Sequence, residues 1–167
     1  MSLQIGVPLF LASILLQSTV LSHLRVFGGQ PDLIAIFVIV WALLDDGTEG
    51  IVWAFVGGLF ADLLSGAPLG ISVLALMPVA FVLGLADAGI YRHNLLLMLL
   101  FGGLGAFGYH LLYLLALRFV AGMPVMWSES FWYVTLPSVL FDLVLVVPAL
   151  TVLGRWYDRL HPRQVRL

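Results

Sequence analysis

Gly50-IVWAFVGGLFADLLS-Gly66 and Phe131-WYVTLPSVLFDLVLVVPALTV-Leu153 decide the fold class, because each is an apolar run of helical length interrupted by one carboxylate. The carboxylates are Asp62 and Asp142. An unpaired carboxylate near a bilayer centre costs at least ~2.5–3.5 kcal/mol on insertion scales, so such groups face other helices, water or a partner. The runs read as membrane-spanning helices, and the two aspartates mark where their polar contacts must be.

Composition extends that reading to the whole chain. Of 167 residues, 62% are hydrophobic and only 10% are charged, against roughly 25% charged in soluble domains. So little charge cannot cover a surface in water. The length admits five or six spans of about 20 residues with short connections, and leaves no room for a large soluble module. The expectation is an all-α, polytopic integral membrane helix bundle of about six transmembrane helices, forming a single domain over residues 1–167. The chain has no cysteine, which removes disulfides, thiolate nucleophiles and Cys-based metal sites.

The spans follow from the breaks between them. Met1-SLQIGVPLFLASILLQSTVLSH-Leu24 lacks a basic start and a small-residue cleavage site, so it reads as a retained first span rather than a signal peptide. That span covers about Ile5 to Ser22. Pro31 and Asp32 open a second helix, with a carboxylate on the positive helix end. Its apolar run, Leu33 to Leu44, covers only ~18 Å at 1.5 Å per residue, against a hydrocarbon core of ~30 Å. Either this helix borrows residues before Pro31, or it is a short element held by its neighbours. A polar turn from Asp45 to Glu49 leads to the third helix, about Gly50 to Leu64. The uncharged break Ser65-Gly66-Ala67-Pro68-Leu69-Gly70 leads to a fourth, about Ile71 to Ala86. The fifth runs from about Leu95 to Val120, and Phe131 to Leu153 is the last.

Charge and aromatic residues orient the bundle. Arg155, Arg159, Arg163 and Arg166 crowd the C-terminus, and excess arginine marks the cytoplasmic side. Six spans then put both termini in the cytoplasm, with Arg25 and Arg118 outside. The tail also suits anionic lipid headgroups. Trp127, Trp132 and Tyr133 at one end of the last span and Trp156 and Tyr157 at the other fit interfacial aromatic belts.

Spacing gives several helices a packing face. Gly50, Ala54, Gly58 and Asp62 recur every four residues, as do Ala80, Gly84 and Ala88, and Gly102, Ala106 and His110. Small residues at that spacing let helix backbones approach closely. Asp62, one turn from the SGAPLG break, either caps or hydrogen-bonds within a seam or lines a site. Asp142 follows Pro137 and Ser138, which supply a freed carbonyl and a hydroxyl. It serves either a structural hydrogen bond or a partner. Gln17, Ser18 and Ser22 form a polar stripe able to meet one of these aspartates. His110 reads as a packed histidine, and no metal, cofactor or nucleic-acid motif stands out. The missing P-loop, HExxH and GxSxG motifs and the scarcity of polar groups argue against an enzyme, so no catalytic residue is assigned.

Pro31 to Leu76, through Pro31-Asp32-Leu33, Gly57-Gly58-Leu59, Asp62-Leu63, Ser65-Gly66 and Pro68-Leu69-Gly70, resembles the MreD family of bacterial rod-shape-determining membrane proteins. The resemblance implies a non-catalytic inner-membrane protein of the cell-elongation machinery. Its implied partners are the single-pass protein MreC, the actin-like MreB and the peptidoglycan polymerase and transpeptidase pair. The family is also similar in size and span number to the substrate-binding subunits of energy-coupling-factor vitamin transporters, which gives the alternative function. On the first reading the SGAPLG turn and Asp62 mark a contact region. On the second, the outer loops with Arg25, Gln30, Arg118, Trp127 and Glu129 shape a solute pocket.

Overall fold

The computed structural model describes residues 3–19, 29–44, 49–85 and 94–160. These form helices α1 (Leu3–Thr19), α2 (Leu33–Leu44), α3 (Glu49–Ser65), α4 (Ile71–Gly84), α5 (Leu95–Phe119) and α6 (Leu136–Leu160). No strand occurs among the described residues. Residues 45–48 of the expected polar turn, Ser22, Arg25, Ala88 and the end of the basic tail lie outside them.

Trp127–Glu129 and a π-helical stretch, Ser130–Thr135, lead directly into α6. There the Leu136 N–H reaches the Phe131 carbonyl, five residues back. Pro137 follows at once and has no N–H to give to either helical ladder. The widened turn thus sits where the proline interrupts regular bonding. Among the described residues, two helices are long and apolar enough to cross a membrane by length and composition, Leu96–Phe119 and Trp127–Arg155.

α2 is the axis of the bundle. It touches α1, α3, α4, α5 and α6, and every residue from Ile34 to Leu44 is buried. This settles the two alternatives for its shortness. The helix begins at Leu33, borrows nothing from before Pro31, and is held on all sides. A helix apolar around its whole circumference belongs inside a core, so its composition follows from that position.

The small residues act at the points of closest approach. A Cβ on Gly58 would lie 2.6 Å from the Val73 backbone, and one on Gly50 would lie 3.0 Å from Ala42 Cα. Ala54 is fully buried between them. These contacts draw α3 against α4 on one side and α2 on the other. Gly102 fits against Val146 of α6, where a Cβ would sit 3.0 Å away, while Gly84 is only half-buried near the end of α4. Where α1 meets α2 and α3, Phe10 packs its ring 5.2 Å from Trp53 and 5.5 Å from Phe37. The outward faces carry large apolar side chains such as Leu15, Leu63, Val82, Leu96 and Val144, a surface suited to lipid rather than water.

Candidate functional site

Both carboxylates buried among the described residues accept backbone amides. Asp62, 1% exposed, stands in the last turn of α3. Its Oδ2 accepts from the Gly70 N–H at 2.7 Å and its Oδ1 from the Ser72 N–H at 2.9 Å. A helix leaves its first amides without internal acceptors, and Gly70 is the residue that opens α4. Asp62 therefore caps α4 from the preceding helix, and its negative charge complements the positive helix end.

The same contact pins the SGAPLG turn. Gly66 and Gly70 have φ of 71° and 97°, a region that glycine enters at little cost. The Ser65 hydroxyl accepts from the Ala67 N–H at 3.3 Å. Leu69 projects outward, 65% exposed, and Pro68 beside it is half-buried.

A second network holds the start of α2. Asp142, fully buried in α6, accepts the Asp32 N–H at 2.9 Å on Oδ1 and joins His110 Nε2 at 2.8 Å through Oδ2. Ser138, one turn earlier, accepts from the Gln30 N–H at 3.2 Å. Asp32 accepts from the Ala35 N–H at 3.0 Å, which makes it the N-cap of α2 just after the buried Pro31. Gln17 of α1 accepts the Leu33 N–H at 2.7 Å and donates to Asp32 Oδ1 at 3.4 Å. The Tyr109 hydroxyl of α5 donates to Asp32 Oδ2 at 3.0 Å. Helices α1, α5 and α6 thus each contribute a polar group to the first turn of α2.

Between these two networks lies a cavity of about 540 Å³. Gln17 and Ser18 reach it from α1, Gln30 and Asp32 from the α2 entrance, and Ser65 and Ser72 from the α3–α4 turn. Tyr109, His110 and Tyr113 line it from α5, and Val134 and Ser138 from the π-helical entry to α6.

Sequence reasoning and structure part at identifiable places. Gln17 does meet an aspartate, but the one it meets is Asp32. Asp62 and Asp142 occupy different networks. Of the residues expected to shape an outer pocket, Gln30 lines the cavity, whereas Arg118, Trp127 and Glu129 do not. Tyr109 and the His110–Asp142 pairing were missed. Lone polar residues in neighbouring spans must find each other, so His110 and Asp142 could have been matched on that ground.

The family model of the rod shape-determining protein MreD matches residues 1–155 of the chain. No curated protein and no solved structure matches it.

Proposed function

Because the chain belongs to the rod shape-determining protein MreD family, whose role is in determining cell shape, we propose that it acts as a non-catalytic membrane scaffold. On this reading its six helices all cross the bacterial inner membrane, with both termini in the cytoplasm. It binds an MreC-type single-pass protein and organises MreB and the peptidoglycan polymerase and transpeptidase pair around it.

The supporting observation is the SGAPLG turn. Its shape is fixed from below by Asp62, it carries no charge, and it presents Leu69 at the surface. A contact surface already held in one shape loses little conformational freedom on binding. An apolar knob beside a rigid turn suits the membrane-proximal segment of a single-pass partner. Asp62 acts here by holding the turn, since it is buried beneath it with both oxygens on backbone amides.

Co-purification with the MreC-type protein from mild detergent tests this. Leu69→Asp changes only an exposed side chain and should reduce partner recovery about tenfold or more, as expected for an anchor worth at least ~1.4 kcal/mol. Equal recovery from wild type and variant would remove the turn from the interface.

A further inference from the structure

The cavity plays no part in the scaffold reading, yet its walls have a definite chemistry. Asp32 accepts two hydrogen bonds on Oδ1, from Ala35 and Gln17, and one on Oδ2, from Tyr109. An ionised carboxylate offers about four acceptor directions, so one on Oδ2 remains for an occupant. Across the cavity, His110 is backed by Asp142. Among the described residues, neither arginine nor lysine lines the cavity. The described walls therefore offer a carboxylate with a spare acceptor and no basic side chain to neutralise it.

A carboxylate inside a helix bundle repels anions and attracts cations more strongly than the same group would in water. The tyrosines add to the preference. Tyr109 and Tyr113 lie with ring centroids 6.0 Å apart and planes inclined at 48°, and aromatic faces attract ammonium and guanidinium groups. The volume of about 540 Å³ falls within the roughly 300–1,000 Å³ of small-ligand sites.

The geometry points to a socket for a cationic nitrogen, an ammonium or guanidinium group, seated against Asp32 in the cavity that Tyr109 and Tyr113 also line. The group arrives either on a free small amine or as a basic side chain of a partner segment. The site stands on the cavity alone and is independent of contact at the SGAPLG turn.

The test uses the full chain in nanodiscs of zwitterionic lipid, with n-butylguanidinium as probe and n-butylurea as its neutral counterpart of the same shape. Butylguanidinium should raise the unfolding temperature saturably and bind about tenfold or more tighter than butylurea, as a charge-assisted hydrogen bond implies. Asp32→Asn keeps a side-chain oxygen to cap α2 but removes the charge, and should abolish the preference. Tyr113→Leu should weaken butylguanidinium about two- to fivefold and leave butylurea unchanged. Comparing two probes on each variant separates binding from folding. Equal affinity for both probes, an undiminished preference in Asp32→Asn, or no saturable response from wild type would overturn the socket. Once binding is seen, displacement of butylguanidinium by the MreC-type protein assigns the site to a basic side chain of that protein. Undisturbed binding assigns it to a free amine.

Discussion

Asp62 shows how one side chain can decide the geometry of two helices. Its oxygens take the amides of Gly70 and Ser72, so replacing it with alanine strands both donors. A buried donor left without an acceptor costs about 1–3 kcal/mol. Asp62→Ala should therefore destabilise the protein by roughly 2–4 kcal/mol, the lower part of the sum, because Gly70 is only half-buried. Asp62→Asn keeps one acceptor and turns an amide nitrogen towards the other N–H, so it should fall between wild type and alanine. Equilibrium unfolding of the three proteins in the same detergent gives the ranking. Equal stabilities would mean that water can replace the cap. The need for a contact at Asp62 was legible from its position in an apolar run. Its acceptors were not, because the i+8 and i+10 amides reach it only after the turn has folded. Asp32 was legible as a helix opener, since its own cap is local. Its bonds to Tyr109 and Asp142 join positions 77 and 110 residues apart, and no local pattern encodes them.

α2 and α4 show how far element-scale reading goes. The limits of both could be read within a residue or two, since Pro31, Gly70 and the intervening polar turn punctuate them. The place of α2 at the centre could not be read, because an all-apolar helix has no face from which to infer a neighbour. That place has a measurable consequence. Ile39 of α2 is fully buried, whereas Leu74 of α4 is about half exposed on the outer surface. Ile39→Ala should cost about 2–5 kcal/mol, because five surrounding helices cannot all collapse into the gap. Leu74→Ala removes a similar volume from the outer face and should stay within about 0.5 kcal/mol. Comparable losses from both would mean that Leu74 also packs against protein, and would mark that face of α4 as an interface. The π-helical entry to α6 was likewise hidden from sequence. Pro137 announces an interruption but does not say whether the helix kinks, breaks or widens.

At the scale of the molecule, the helices bring the caps of α2 and α4, the cavity and the SGAPLG turn to one end of the bundle. α3 and α4 form a tight antiparallel hairpin, with Gly58 against Val73, so Ser65 and Leu69 lie at one end and Leu85 at the other. α5 returns to the first end, where Val120, Gly122 and Met123 turn the chain into α6, and Arg155 lies towards the far end of that helix. The basic tail predicts that the far end is cytoplasmic. The absence of cysteine makes this directly measurable, because each introduced thiol is the sole reactive site. In intact spheroplasts, Leu69→Cys and Met123→Cys should react with an impermeant maleimide, whereas Leu85→Cys and Arg155→Cys should react only after permeabilisation. The reverse pattern would invert the bundle, with the cavity opening to the cytoplasm. Labelling of Leu69→Cys and Leu85→Cys from the same side would mean that α4 does not cross. α4 is a stringent case among the helices that face lipid, since its 14 residues extend ~21 Å in a hydrocarbon core of ~30 Å. A crossing by so short a helix requires the bilayer to thin around it, or neighbouring helices to shield its ends. Asp62 provides that shielding at one end by satisfying the first amides of α4 within the protein. A crossing α4 in wild type that loses sidedness in Asp62→Ala would tie the carboxylate to the topology of the whole bundle.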